Sequence, residues 1–488
     1  MLVPLEIPPG VYRNGTDLQA QGRWHDISLV RWKDGAMQPI GGWRERMDFT
    51  SGKYRGALAW QDNSGDRWLA VGSHNKLKVS TRAGVVTDIT PAGLTAGDVN
   101  AMENVGYGGG PYGVDAYGVT RSSGGTYQEA TTWAMDAWGE YLLACSSADG
   151  KIYEWQLDTG TPAAAVSGAP TGCLGVLVTP ERFVFALGAG GNPKLVQWSD
   201  REDNTEWTPA ATNEAGSQAL DAVGQIMCGI NVPGQTLILT DHEAFVASYV
   251  GPPFVYGFRN VGAACGVASR KAVALTSGGA LWMGAESFYG YFGGAVEAVP
   301  CDVSDYVFND MNRSQISKVF AVSNGQFGEV WWFYPSSSSG ECDKYVVYNY
   351  QERHWLIGDM ARTTGVDRGT MDYPILVGTD AVGYDHEIGL DYAGATIRAE
   401  TGPIVLSGDV VTAIEFHPDE ATRGDVQVTF KTRNYPNGTE SDHGPYAAAT
   451  PTNVRFTGRQ IRMLVEGARL ADWRWGIPRL QVNQRGRR

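Results

Sequence analysis

The feature that most constrains the fold is a β-hairpin signal that recurs along most of the chain. Each unit has an apolar run, a turn such as Ser-Ala-Asp-Gly at 147–150, and an aromatic-rich return strand. The units follow one another about every 40–60 residues, the spacing typical of propeller blades. They are 67–72 with 76–80, 141–145 with 151–156, 182–187 with 194–198, 236–240 with 244–249, 280–283 with 288–292, 329–334 with 344–350, and 374–378 with 383–386. Because radial repetition leaves only short sheet edges exposed, this pattern predicts an all-β fold with a β-propeller of about six degenerate blades. The strand-ending tryptophans Trp155, Trp198 and Trp355 are expected to fill the gaps between blades.

The sequence divides into three regions that differ in composition and in their pattern of apolar residues. Residues 1–50 form an N-terminal segment that is expected either to lie between subunits or to close the propeller. Residues 51–395 form the propeller body, with a Gly/Tyr/Ser-rich insertion at about 105–128 that is long for a loop without secondary structure. Residues 396–488 contain alternating strands that predict a small C-terminal β-sandwich, followed by a basic tail with Arg485, Arg487 and Arg488.

The net charge argues against broad binding of nucleic acid. The chain of 488 residues carries a formal charge of −14. Residues 396–488 have 13 basic and 10 acidic residues, so the surplus of acid lies in the remainder of the chain. Phosphate binding depends on Lys and Arg that displace counterions. Double-stranded DNA is therefore expected to pass such a protein without being gripped.

Cysteine usage and the termini point to a protein made in a reducing cytoplasm. The six cysteines include no C-x-x-C pair and sit singly in apolar runs, which favours buried free thiols over disulfides. Residues 1–9 lack the basic segment and apolar run of a signal peptide. No run approaches about 18 consecutive apolar residues, so no membrane span is expected.

The candidate chemical motifs have simpler structural interpretations. Gly108, Gly110 and Gly113 fit G-x-G-x-x-G, but Pro111 and the missing helix argue against a dinucleotide site. The segment 199–207 resembles the Asp-box turn of sialidase-type propellers, where polar side chains bind the turn backbone and the tryptophan packs inward. It is a marker of the fold and not of catalysis.

No constellation of acids or histidines identifies an active site. A glycosidase needs two suitably spaced carboxyl groups, and abundant loop acids leave such a pair open. Those acids include Asp200, Glu202, Asp203, Asp302 and Asp305. The seven histidines form no H-E-x-x-H pattern and no pair at metal-ligand spacing. We therefore expect no catalytic residues, no cofactor and no metal site.

Four groups of segments, in order along nearly the whole chain, resemble the tail nozzle or hub proteins of short-tailed bacteriophages, which include packaged-DNA stabilisation proteins. The opening group is Pro9–Gly15, Gly22–Asp26, Leu29–Trp32 and Pro39–Trp43. The second group is Gln197–Asp200, Trp207–Pro209, Asn213–Gly216 and Thr240–His242. The third group is Phe327–Pro335, Lys344–Tyr350 and Trp355, and the ending is Gly458–Arg462, Trp473–Gly476 and Pro478–Leu480 with the arginine tail.

This resemblance implies a structural protein of a podovirus-like virion tail, assembled in the cytoplasm of the host bacterium. Such proteins form a homo-oligomeric ring, usually of about six copies, below the portal and adaptor proteins. The ring extends the tail tube for double-stranded DNA, retains the packaged genome until DNA ejection, and anchors tail fibre or spike and needle proteins. The opening residues Tyr12, Arg13, Trp24, Arg31 and Trp32 are of the types that anchor interfaces, although ordinary packing within blades explains them equally well.

Two alternatives remain open from the residues. One is a propeller lectin whose loop aromatics stack on host-surface glycans. The other is a tail-associated glycosidase. The lectin predicts glycan binding by a monomer, and the glycosidase predicts depolymerisation that one or two acids control.

Overall fold

A computed structural model describes residues 1–103, 127–405, 410–467 and 471–484. Nearly all of the insertion predicted at 105–128, and the terminal arginines, lie outside these residues. Within these four ranges the structure is almost entirely β, with one short α-helix, Ser304–Asp310, and three 3₁₀ turns at Asp17–Ala20, Ala189–Gly191 and Arg313–Lys318. Over the described residues no helix has the length and apolar character needed to cross a bilayer.

Seven four-stranded antiparallel sheets follow one another along the chain, and we number them I to VII. Sheet I is Tyr54–Gln61, Arg67–Ser73, Leu77–Thr81 and Val86–Asp88; sheet II is Trp133–Trp138, Tyr141–Ser146, Ile152–Trp155 and Ala164–Ala165. Sheet III is Gly175–Val178, Val184–Leu187, Leu195–Trp198 and Gly216–Ala219; sheet IV is Ile226–Val232, Gln235–Thr240, Glu243–Gly251 and Val255–Ala263. Sheet V is Val273–Thr276, Gly279–Met283, Phe288–Tyr291 and Val296–Val299; sheet VI is Phe320–Asn324, Glu329–Tyr334, Lys344–Asn349 and His354–Asp359. Sheet VII is Arg362–Val366, Ile375–Gly378, Val382–His386 and, from the N-terminal segment, Trp43–Asp48.

The seven sheets form a closed, propeller-like ring. The first strand of each sheet contacts the first strand of the next, and the first strand of sheet VII contacts that of sheet I. The ring has one sheet more than the roughly six blades expected from the hairpins. The reason is that the fourth strand of sheet VII comes from more than 300 residues earlier in the sequence, so the last hairpin has no outer strand after it.

Ring closure depends on the pairing of Trp43–Asp48 with Val382–His386. The edge strand carries Arg44 and Arg46, whose guanidinium groups lie 3.1 and 2.8 Å from the carboxylate oxygens of buried Asp385. Backbone pairing and this ion pair therefore hold the two ends of the ring together.

The remaining strands form two further sheets, VIII and IX, which take strands from both ends of the chain. Sheet VIII contains Leu2–Pro4, Arg479–Gln484, Val411–His417 and Thr452–Gly458. Sheet IX contains Trp24–Ser28, Arg398–Thr401, Gln460–Gly467, Val426–Arg433 and Ser441–Ala447, with Ile404–Val405 at its side. The short hairpin Val30–Lys33 and Ala36–Pro39 and the strand pair Met102–Glu103 and Tyr127–Gln128 complete the set.

Sheets VIII and IX contact each other through aromatic rings. The ring of Phe430 in sheet IX lies 5.2 Å from Phe416 and 5.1 Å from Phe456, both in sheet VIII, measured between centroids. The same apolar cluster continues into sheets IV, V and VI. The two-sheet unit therefore shares a core with the ring.

The tryptophans predicted to fill the gaps between blades do so. Trp155 of sheet II lies edge-on to Trp68 of sheet I, at 5.2 Å between ring centroids. Trp198 of sheet III contacts Tyr256 of sheet IV, and Trp355 of sheet VI contacts Phe288 of sheet V.

We expect Trp155→Ala to lower the free energy of unfolding by about 3–5 kcal/mol, because it empties a buried space between two sheets. Val85→Ala is the matched control, since Val85 is 62% exposed at a hairpin turn and its truncation costs little. Urea midpoints followed by tryptophan fluorescence and by circular dichroism measure both. Equal midpoints for the two variants would contradict the packing role of Trp155.

Candidate functional site

A buried charge cluster lies where the N-terminal segment meets sheets VI and VII, and we call it the junction. The hairpin Val30–Lys33 carries Arg31 into this space, where its side chain is 1% exposed. Nη2 of Arg31 lies 3.0 Å from Oε2 of Glu329, a residue of sheet VI that is fully buried. Nη1 lies 2.8 Å from Oε2 of Glu387, which directly follows a strand of sheet VII. The guanidinium also stacks over the ring of Phe327 at 3.7 Å.

The carboxylates of the junction are held by further donors. The indole of Trp331 donates to Glu329 at 2.9 Å. The side-chain amide of Asn324 and the backbone N–H of Gly41 each donate to Glu387 at 2.9 Å. A buried charge pair is stable only when such hydrogen bonds offset the loss of hydration. The junction therefore fixes the relative position of three chain segments.

The pKa values of the junction follow from burial and pairing. Burial raises the pKa of Glu329 above its ordinary value, although the positive charge of Arg31 opposes that shift. Burial alone would lower the pKa of Arg31, but Glu329 and Glu387 raise it. Arg31 therefore stays charged, and its positive charge offsets the repulsion between the two neighbouring buried carboxylates.

Backbone pairing extends the junction to the C-terminal part of the chain. Met37, in the hairpin that carries Arg31, exchanges backbone hydrogen bonds with Trp475 at 3.1 and 2.8 Å. On the other side, the backbone N–H of Leu29 donates to the hydroxyl of Tyr345 in sheet VI at 3.0 Å. The hairpin is thus bonded both to the ring and to the segment that leads into sheet VIII.

The opening segment crosses sheet VI at a position that requires glycine. Gly10 has a φ of +90°, and a Cβ there would lie 2.7 Å from Cβ of His354. The next residue, Val11, donates its backbone N–H to the carbonyl of Trp355 at 2.8 Å. A side chain at position 10 would both strain the backbone and push the segment off the sheet.

A second charge cluster attaches the first 3₁₀ turn to sheet IX. Asp17 accepts hydrogen bonds from Arg433 and Arg462. Burial would raise the pKa of Asp17, but the two guanidinium groups outweigh it and the pKa is lowered. Lys431 pairs with Glu400 at 2.8 Å in the same region. Both clusters therefore fix the opening segment by charge pairs with distant parts of the chain.

The loop acids considered for a glycosidase have local structural partners. Asp200 accepts backbone hydrogen bonds from Arg201 and Glu214, each at 2.8 Å, and Asp203 caps the turn at Thr205. Glu202 pairs with Arg182, Asp302 with Arg23, and Asp305 accepts from the backbone of Gly15. Trp207 is buried, with its indole donating to the carbonyl of Asn204 at 2.7 Å. The segment 199–207 is thus a stabilised turn with an inward tryptophan, as predicted.

The structure corrects part of the expectation for the opening aromatic and arginine residues. Trp24, Arg31 and Trp32 are at most 3% exposed within the single chain, and only Tyr12 and Arg13 are partly accessible. Sequence alone could not distinguish an interface anchor from a core residue because the partners Glu329 and Glu387 lie about 300 residues away.

The described part of the chain contains no cluster of three or more His, Cys, Asp or Glu side chains suited to holding a metal ion. All six cysteines are free, and four of them are buried. The nucleotide-binding motif at 108–113 lies outside the described residues.

No protein-family model matches the sequence, and no curated protein matches it. Among solved structures, the fold is similar to virginiamycin B lyase from Staphylococcus aureus, with 8% identity, a TM-score of 0.43, and coverage of 70% of this chain and 98% of that one. It is also similar to BamB from Moraxella catarrhalis, with 8% identity, a TM-score of 0.38, and coverage of 74% and 93%. A glycoside hydrolase matches at 6% identity and a TM-score of 0.27, covering 88% of this chain and 98% of the other. These values carry no inference about function.

We expect Arg31→Met to destabilise the protein by about 3–5 kcal/mol, because it leaves two carboxylates without their buried counter-charge. Lys76→Met is the matched control: Lys76 also pairs with a carboxylate, that of Asp88, but both side chains are more than 40% exposed, so its loss costs about 0–1 kcal/mol. Urea unfolding at pH 7 measures both variants.

The pH dependence gives a second readout of the same change. Without Arg31 the folded-state pKa of Glu329 rises further, so the folded protein binds protons more readily than the unfolded chain. The loss of unfolding free energy caused by Arg31→Met should therefore become smaller as the pH falls from 7 towards about 5. A deficit that is constant over this range would contradict the role assigned to the buried charge.

Proposed function

We propose that this protein is a structural subunit of a short-tailed bacteriophage tail, forming a nozzle or hub ring below the portal and adaptor proteins. In this role it extends the DNA channel, retains the packaged genome, lets it pass during ejection, and anchors tail appendages. The role is mechanical, with neither a catalytic residue nor a cofactor assigned. The finer architecture that we propose is a seven-bladed propeller with a β-sandwich formed by sheets VIII and IX.

The observation that carries the proposal is the meeting of three resemblance segments at the junction. Arg31 belongs to the opening segments, Glu329 to the segment Phe327–Pro335, and Trp475 to the ending Trp473–Gly476. These segments are far apart in the sequence and share one buried network. If this chain shares its architecture with the nozzle proteins, the junction constrains all three segments together. A resemblance spread over these distant segments is then the expected result.

The junction also suits a part that bears load. A channel that retains pressurised DNA must transmit force between its upper and lower parts without bending at a linker. Here a buried ion pair holds the hairpin Val30–Lys33 to the ring, backbone pairing joins that hairpin to the segment before sheet VIII, and one continuous apolar cluster runs through the ring and the two-sheet unit. Closely packed interiors have low compressibility and transmit strain, so the two units are expected to move as one body.

The surface charge supports passage of DNA without capture. The chain carries 53 acidic and 39 basic residues. Like charges on the wall and on the phosphates repel each other, and the repulsion is screened beyond about 8 Å at physiological salt. A wall of this sign keeps DNA from adhering to it, whereas a basic wall would hold DNA by counterion release.

The decisive measurement is the native mass of the purified protein, alone and with a portal–adaptor complex, by light scattering and negative-stain imaging. We expect closed rings of about six copies, either in isolation or on the complex, because head-to-tail contacts close into a ring when the rotation between subunits allows. A protein that stays monomeric with and without these partners would contradict the proposal. Glycan binding by that monomer would then favour the lectin, and depolymerisation the glycosidase.

The junction provides a matched test of the same proposal. Arg31→Met should reduce ring formation or docking on the portal–adaptor complex at a temperature where the variant is still folded, because the two units lose their fixed geometry. Lys76→Met, which removes an exposed ion pair within sheet I, should assemble like the unchanged protein. If both variants assemble equally well, the junction does not set the geometry of the ring.

A further inference from the structure

The inner strands of sheets I to V surround a cavity of about 310 Å³. Its wall is mainly apolar, with Leu58, Met135, Leu177 and Ile230 contributed by four different sheets. A neighbouring cavity of about 420 Å³ shares the lining residue Arg270 with it. The inner cavity falls within the range of about 300–1,000 Å³ that small-molecule sites occupy.

Four titratable side chains line this cavity, and three of them are accounted for. Each carboxylate oxygen of Asp136 accepts a backbone hydrogen bond at 2.8 Å, one from Ala137 and one from Val178. Arg270 pairs with Glu129 at 3.1 Å and donates to two backbone carbonyls. Burial raises the pKa of the Cys228 thiol to about 12, so the thiol is neutral.

Lys271 is the exception. It lies just before the first strand of sheet V, where its backbone carbonyl accepts from Ala321 at 2.8 Å. Within the described residues its ammonium group has neither a hydrogen-bond partner nor an ion-pair partner within 4 Å. Burial lowers the pKa of Lys271 to about 8, while Cys228 and Asp136 oppose the shift. At pH 7 most molecules therefore keep a positive charge on this unpaired, partly accessible ammonium group, which lines a largely apolar cavity where an anionic group of a ligand can pair with it.

We propose that this cavity binds a small organic monocarboxylate, with the carboxylate on Nζ of Lys271 and the apolar part of the ligand against the surrounding wall. The charges on the wall favour a single negative charge, because Glu129 already neutralises Arg270 and, of the two cations that the described residues place here, Lys271 alone is left without an ion-pair partner. The apolar wall disfavours small inorganic anions, which lose hydration without gaining apolar contact. The site is independent of the proposed function, since none of its residues belongs to the junction.

The test is a titration of the full-length protein with 4-fluorobenzoate, followed by ¹⁹F NMR at pH 7. We expect saturable binding that weakens about tenfold or more in Lys271→Met, in line with the loss of one charge-assisted hydrogen bond. Lys33→Met, which removes an exposed lysine from a hairpin turn, is the control and should bind like the unchanged protein. Unfolding midpoints check that Lys271→Met is folded, and removal of an unpaired charge should leave its midpoint unchanged or raise it.

Two further variants determine the sign of the charge that the site prefers. Asp136→Asn should bind the carboxylate more tightly, because it removes a like charge. Binding should weaken as the pH rises from 7 to 9 and Lys271 loses its proton, and Lys271→Arg should retain binding at pH 9. Cys228 remains neutral over this range because its pKa is about 12, and repeating the pH series in Asp136→Asn isolates the contribution of that side chain.

Three results would overturn the proposal. The first is the absence of detectable binding at a probe concentration of about 10 mM, because a specific site would bind the probe more tightly than that. The second is equal binding by Lys271→Met and the unchanged protein. The third is a preference for 4-fluorobenzylamine over 4-fluorobenzoate, which would make Asp136 the recognition group and the ligand a cation.

Discussion

The burial of Arg31 between Glu329 and Glu387 is the constraint on which the rest of the architecture depends. A guanidinium without solvent must have its counter-charges in place, and here they come from two different sheets of the ring. The hairpin that carries Arg31 can therefore occupy only one position. Since the same hairpin pairs with Trp475, that position also determines where the C-terminal strands enter the two-sheet unit. One charge thus sets the geometry between the two units of the molecule.

Ring closure and the junction are coupled through the short stretch of chain between them. Glu387 follows the strand Val382–His386, which pairs with the closing strand Trp43–Asp48. The backbone N–H of Gly41, two residues before that closing strand, donates to Glu387. Loss of the buried ion pair would therefore loosen the closing strand, and opening of the ring would expose the ion pair to water. Such mutual dependence favours cooperative unfolding of the ring with the two-sheet unit.

The hairpins and the tryptophans between blades could be predicted because both depend on local pattern. In Glu329–Tyr334 and its return strand, a continuous apolar run and the turn residues that follow it identify the pairing without knowledge of distant contacts. Closure of the propeller was one of two roles expected for residues 1–50, but the strand Trp43–Asp48 itself could not be identified, because it is a charged edge strand whose partner lies more than 300 residues away. For a similar reason, the sequence left open whether Arg31 belongs to an interface or to the core. No sequence pattern identified Lys271, because its distinguishing feature, an ammonium group without a partner, is visible only in the three-dimensional structure.

The distribution of buried charge makes the exposed surface more acidic than the net charge of the chain indicates. In the part of the chain that the structure describes, the buried charged side chains are six basic residues, Arg31, Arg55, Lys78, Lys318, Arg362 and Arg433, against three acidic ones, Glu329, Asp385 and Glu420. The fold therefore withdraws more positive than negative charge from solvent contact. Arginine suits this use because its planar group can bind two carboxylates at once, as Arg31 does. The same residues that rigidify the molecule thus also leave its outer surface enriched in carboxylates, which repel a polyanion such as DNA.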